Sequence, residues 1–98
     1  MYHLSILLSK FKYRDRAKII TDVLDTVRAS PRGKRITNIM QGAHLNFEQT
    51  SRYLDVLLMT GLIKADGPRY RVTEKGLRLA EDLEDLHVVL KVLYHQPY

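Results

Sequence analysis

Gln49 and Arg52 stand three residues apart in the stretch 45–63, LNFEQTSRYLDVLLMTGLI, whose apolar residues recur with the period of a helix. That spacing sets both side chains on one helical face. A guanidinium can donate twice to guanine, and a glutamine amide can pair with adenine, so the chemistry on offer is the reading of base edges. Gln49 also has a plainer reading as a solvated residue. Farther along, Arg69 and Arg71 alternate with Tyr70 and Val72, and Lys64 precedes them. In extended chain this alternation sends the arginines to one side and the aromatic and valine to the other. Lys34 and Arg35 lie just ahead of another helical stretch. These bases suit phosphate oxygens, which fix the register of a duplex without reading its sequence.

Bond-making chemistry finds no support. The sequence holds neither a phosphate-binding glycine loop nor a dinucleotide-binding glycine pattern. His3, His44, His87 and His95 fall on different elements or eight apart, and no cysteine is present, so no catalytic or metal site and no cofactor is expected. The six tyrosines are too scattered to stack single-stranded bases.

The elements that must position these groups can be read in order. A helix is expected over 15–29, with Ile19, Ile20, Val23, Leu24 and Val27 as its buried stripe. Ser30-Pro31-Arg32-Gly33 ends it in a turn. Arg35-Ile36 suits a short strand, Thr37 a cap, and 38–44 a second helix with Ile39, Met40 and Ala43 inward; Gly42 is the expected bend before the next helix. A third helix is expected over 47–60, capped by Asn46, with Phe47, Thr50, Leu54, Leu57 and Leu58 facing the core and Gly61 ending it. Val56 and Met59 point away from that core. They are stray apolar groups, or the N-terminal segment or a partner covers them. Strands over 62–65 and 69–73 flank Asp66-Gly67-Pro68, a hairpin signal, and Thr73 caps a last helix over about 74–93.

In that last helix Leu79, Leu83, Leu86, Leu90 and Leu93 follow a heptad seam, which suits pairing with a second copy. Packing on the first helix of the same domain is the alternative. Residues 1–13 carry Leu4, Leu7, Leu8 and Phe11 at helical spacing and suit an extra helix on the body or on a second subunit.

The stretch 45–62 resembles the recognition helix of winged helix-turn-helix regulators of the ArsR and MarR type. Leu45, Ser51, Arg52, Leu54, Leu57, Gly61 and Leu62 carry the likeness. Asn46 takes the place of the usual serine cap, and Glu48 and Asp55 are acidic departures on a surface that would meet phosphate. The block KADGPRYRVTEKG resembles the wing and the start of the following helix, and the likeness spans about residues 15–85. The chain is similar to small archaeal winged-helix proteins that dimerise through a C-terminal helix. The resemblance implies a mainly α fold with a small β-hairpin wing and a long C-terminal helix. Residues 1–14 would be an extension, 15–73 the DNA-binding domain, and 74–98 the dimerisation helix and tail. It implies double-stranded DNA as partner, in a homodimer, with Lys34, Arg35, Asn46, Gln49, Ser51, Arg52, Tyr53, Lys64, Arg69 and Arg71 as the DNA-binding set. An interaction module in a larger assembly is the alternative function.

Composition agrees with one small globular domain: 98 residues, 45% hydrophobic and 28% charged. No apolar run is long enough to span a membrane, residues 2–8 make a poor signal peptide, and a cytoplasmic, nucleoid-associated location is expected. The net charge of +5 is uneven: residues 1–78 hold 15 basic and 7 acidic side chains, whereas 79–98 hold Lys91 against four acids. A basic body with an acidic tail fits a nucleic-acid binder with an appended helix.

Overall fold

The computed structural model describes residues 15–95, so the expectation of an extra helix in residues 1–13 lies outside the described residues. The order is α1 (Arg16–Arg28), β1 (Lys34–Arg35), α2 (Ile36–Ala43), α3 (Phe47–Met59), β2 (Ile63–Asp66), β3 (Arg69–Val72) and α4 (Glu74–His95). The three short strands form an antiparallel sheet in the order β1-β3-β2. This is the mainly α fold with a hairpin wing and a long last helix that the residue patterns imply.

Local chemistry accounts for most boundaries. Asp15 caps α1 by accepting from the Lys18 amide at 2.8 Å. Gly33 donates to the Ser30 carbonyl at 2.9 Å and closes the Ser30–Gly33 turn with a φ of 85°. Thr73 Oγ1 accepts from the Gly76 amide at 3.1 Å and donates to the Gly61 carbonyl at 2.6 Å. One hydroxyl thereby caps α4 and ties its start to the turn after α3. Gly61 takes a φ of 75°, the left-handed geometry expected of it.

Four local expectations need correction. Thr37 is not a cap: α2 begins at Ile36 with Arg35 as N-cap and no side-chain cap hydrogen bond, and β1 is Lys34–Arg35 rather than Arg35-Ile36. Pairing of Lys34 and Arg35 with β3 holds the backbone extended through residue 35 and leaves Ile36 as the first helical residue. Gly42 is not the bend. It lies inside α2, where an added Cβ would strike Thr26 of α1, so its value is close helix approach. The bend falls at His44, with a φ of 56°. Phe47 does not face the core and is 59% exposed. As the first residue of α3 its side chain leans back over the preceding turn, beyond the packed face.

Val23, Leu24 and Val27 of α1, Ile39 and Ala43 of α2, Leu45, Leu54 and Leu57 of the α3 region, Ile63 and Ala80 form the core. Its burial is the main stabilising term, about 25 cal/mol for each Å² of apolar surface removed from water. Tyr70 and Val72 pack against it from the sheet. Gly76 lets α4 cross over the Leu62 carbonyl, a position any Cβ would obstruct.

α4 outruns this core. Ala80 is buried and Leu79 and Leu83 are half-buried, but from Glu84 to Tyr94 every side chain except His87 is exposed. Arg28, the last residue of α1, meets Glu84 at 3.3 Å and Asp25 at 2.9 Å, marking where the body ends. With 22 residues, α4 is about 33 Å long at about 1.5 Å per residue. The molecule accordingly measures 51 Å along its longest axis and 26 and 20 Å across.

Candidate nucleic-acid interface

The packed side of α3 is Thr50, Leu54 and Leu57, all buried. This fixes the opposite side as solvent-facing. Glu48, Gln49, Arg52, Asp55, Val56 and Met59 are all exposed. Arg52 is 69% exposed at its side chain and stands 4.0 Å from Glu48, one turn earlier. Ser51 and Tyr53 are half-buried at the flanks, and Tyr53 turns toward α1 rather than straight outward.

Asn46 and Gln49 are tied to each other. Asn46 Oδ1 accepts from the Gln49 amide at 2.7 Å, and Gln49 Oε1 accepts from the Asn46 amide at 3.2 Å. The residue patterns mark Asn46 as a cap but not Gln49 as its reciprocal partner, although an Asn-x-x-Gln spacing is a recognisable signal for a capping box. In this conformation the Gln49 carbonyl is engaged with the backbone. Pairing with adenine through both amide atoms would require the box to open.

The sheet organises the other bases. Residues directly opposite in an antiparallel pair share a face. Lys64 is opposite Arg71, Asp66 opposite Arg69, and Arg35 opposite Arg69 across the other edge. Arg35, Lys64, Arg69 and Arg71 therefore form one basic face, interrupted by Asp66. Ile63, Tyr70 and Val72 lie on the other face, against the core, and Ala65 shares that face but is exposed. Lys34 is opposite Tyr70, so it lies on the inner face and is half-buried. The sheet thus separates Lys34 from Arg35, although the two are adjacent in sequence.

Two of these arginines are braced. Arg69 Nη1 donates to the Gly33 carbonyl at 3.1 Å, and Arg71 Nη1 meets Asp66 Oδ2 at 3.4 Å. The first contact joins the wing to the turn after α1. The second joins the two strands near the hairpin tip. A braced guanidinium keeps further N–H donors for an anion, because it carries five.

Behind α3 lies a groove of about 320 Å³, lined by Arg16 and Ile20 of α1 and by Arg52, Tyr53, Val56 and Leu57. No sequence pattern signals its apolar floor and cationic rim, since Arg16 and Arg52 are far apart in the chain. The leucine seam divides in two. Leu79 and Leu83 are half-buried on the body, whereas Leu86, Leu90 and Leu93 are exposed together with Val88, Val89, Val92 and Tyr94.

A three-helix core, a helix-turn-helix with an exposed second helix and a basic hairpin beside it define a winged helix-turn-helix protein. The family model of that description matches residues 13–91, and the chain belongs to this family. An uncharacterized protein of Methanocaldococcus jannaschii is 29% identical over 77 residues, which cover 79% of this chain and 77% of that relative. The solved structure of Sso10a-2, a DNA-binding protein from Sulfolobus solfataricus, superposes with a TM-score of 0.70 at 30% identity, over 83% of this chain and 86% of that one. The multiple antibiotic-resistance repressor MarR of Listeria monocytogenes superposes with a TM-score of 0.64 over 98% of this chain and 77% of that one. Its identity is only 14%, so it speaks for the fold alone. Among the described residues, no helix is long and apolar enough to cross a membrane.

Proposed function

We propose that this protein binds double-stranded DNA as a homodimer, with α3 in the major groove and the wing on the flanking backbone, in a transcriptional or chromatin-type role. The observation that carries the reading is the basic outer face of the sheet, Arg35, Lys64, Arg69 and Arg71, in a fold whose adjoining helix presents Arg52 to solvent. In this reading residues 15–73 are the DNA-binding domain and 74–98 the dimerisation helix and tail. Arg52 reads bases, with Gln49 available if the capping box opens. Asn46, Ser51 and Tyr53 contribute positioning contacts, and Lys34, on the inner face, is the weakest member of the set. The DNA-binding relative from Sulfolobus solfataricus supports the same assignment. The protein would work where chromosomal DNA is, and no catalysis is proposed.

Two copies paired through α4 would present two recognition helices to successive major grooves and favour a near-palindromic site. Exposed Leu86, Leu90 and Leu93 support this pairing. The test is duplex binding at several salt concentrations. A dimer that neutralises about six to ten phosphates should lose affinity with a log–log slope of about −0.9 per phosphate. Absent or salt-independent binding would remove the reading. In that event the exposed acids Glu48 and Asp55 on α3 favour the second reading, a protein-interaction module in a larger assembly.

A further inference from the structure

We infer that the groove between α1 and α3 is the docking site of this chain's own N-terminal segment, residues 1–14. The groove is a half-finished piece of core. Ile20 and Tyr53 are half-buried and Val56 is 51% exposed, around a volume of about 320 Å³. Met59, one turn after Val56 on α3, is 85% exposed. Exposed apolar surface of this kind on an ordered helix calls for a cover.

The point where the segment joins the body selects the occupant. Residue 14 adjoins Asp15, the cap of α1, and Arg16, the first residue of that helix, lines the groove. The segment, MYHLSILLSKFKYR, carries Leu4, Leu7, Leu8 and Phe11 at intervals of three, one and three residues. That is the apolar stripe of one helical face, and it matches a floor of Ile20, Tyr53 and Val56. The other large apolar surface is the projecting half of α4. It begins beyond Glu84, at the far end of α1, about 20 Å along a 13-residue helix. The groove is therefore the first apolar surface the segment meets. The overhang is left for a second copy.

Charge sets the character of the contact. The segment holds Lys10, Lys12 and Arg14 and no acid, and the groove's rim is Arg16 and Arg52. The lining holds no acid to pair with these cations, so apolar burial holds the segment, with the cations at the rim. Docking thus adds three bases beside Arg52 and enlarges the basic surface around α3.

The chain has no cysteine, which makes cross-linking clean. Full-length chains carrying Val56→Cys with Leu4→Cys, Leu7→Cys, Leu8→Cys or Phe11→Cys would be oxidised, and parallel chains would pair the same positions with Leu90→Cys. At least one Val56→Cys pair should form an intrachain disulfide and the Leu90→Cys pairs should not, because bridging needs Cα atoms within about 7 Å. A second measurement follows maleimide labelling of Val56→Cys alone, then with Leu7→Asp and Leu8→Asp added. Labelling should speed up about tenfold when the segment is made polar. Disulfides that join two chains, that form to Leu90→Cys instead, or that fail at all four positions would overturn the proposal, as would a labelling rate unmoved by Leu7→Asp and Leu8→Asp. Neither measurement involves DNA, so the result is independent of the proposed function.

Discussion

Asn46 and Gln49 hold each other's backbone amides, at 2.7 and 3.2 Å, at the start of the helix that carries Arg52. The box satisfies two amides that would otherwise lack partners in the first turn. It also fixes where Arg52 leaves the helix, because α3 can begin at only one residue. Asn46→Ala should lower stability by about 0.5–2 kcal/mol. Gln49→Ala should cost less, since it removes only the return bond. Thermal or urea unfolding of the two variants checks the order. A Gln49→Ala loss larger than that of Asn46→Ala would mean that Gln49 does more than cap.

Arg52 and Glu48 share one face of α3, 4.0 Å apart and both well exposed. An exposed pair of this kind contributes little to stability. In the proposed DNA-binding role its effect would be on DNA, where the carboxylate would repel phosphate and compete for the guanidinium. Glu48→Gln should leave the unfolding midpoint almost unchanged and tighten duplex binding several-fold. Arg52→Ala should weaken the preferred sequence by roughly 1–3 kcal/mol and flatten the preference among sequences. Titrations against a selected and a random duplex measure both. An equal loss on every sequence would make Arg52 a phosphate-binding group rather than a base reader.

The wing should behave differently. Arg71 lies opposite Lys64 on the outer face of the sheet, away from the core. Arg71→Ala should weaken all duplexes alike. It should also reduce the magnitude of the salt slope by about 0.9 for each phosphate left unneutralised. A symmetric dimer removes the guanidinium from both wings, so the change doubles. An unchanged slope would take Arg71 off the phosphate backbone.

The crossing of α4 over the Leu62 carbonyl rests on one missing methyl group. An added Cβ at Gly76 would collide with the Leu62 carbonyl and press on Val72. Backbone cannot move aside as a flexible side chain can, so Gly76→Ala should cost about 1–3 kcal/mol. For a domain of this size that is a fall of roughly 4–8 °C in Tm per kcal/mol. Differential scanning calorimetry against Gly67→Ala makes the comparison, since Gly67 meets nothing within 4 Å but has a φ of 59°. A smaller loss at Gly76 than at Gly67 would show that backbone geometry outweighs the crossing.

Much of this architecture is legible in the chain because periodicity and chemistry agree. The stripe of α1, that of α3 apart from Phe47, the Asn46 cap, the Asp66-Gly67-Pro68 hairpin and the Thr73 cap each rest on a local pattern, and each is found. What stays hidden depends on neighbours distant in sequence. Gly42 reads as a bend until Thr26 is known to sit against it. Lys34 and Arg35 read as a pair until their register with Tyr70 and Arg69 sends them to opposite faces. Phe47 has the spacing of a core residue but starts its helix, so its side chain lies past the core. The groove behind α3 joins Arg16 to Arg52, and no local pattern announces it. The helix face and the outward arginines of the wing are legible in the chain, whereas the placing of Arg35 on the wing's basic face without Lys34 is not.

The two halves of the leucine seam have different surroundings. Leu79 and Leu83 belong partly to the domain's own body, while Leu86, Leu90 and Leu93 stand beyond it. Valines and a tyrosine accompany the exposed leucines, so the projecting half of α4 is apolar on more than one side. A helix of that composition is stable in water only when something covers it. The cover we propose is a second copy, and charge favours antiparallel register, because Lys91 of one helix would then approach Glu81, Asp82, Glu84 and Asp85 of the other. A parallel pair would set the acids against each other. Replacing Leu86 and Leu90 with Glu should give a folded monomer, since both are at least 40% exposed and outside the core. Its affinity for the preferred duplex should drop sharply because the second half-site goes unused. Lys91→Glu should weaken the dimer at low salt and less so at high salt. Sedimentation equilibrium decides the matter. A wild-type chain that stays monomeric at micromolar concentration would remove the dimer, and a Leu86→Glu/Leu90→Glu chain that unfolds would return those leucines to the domain's own core.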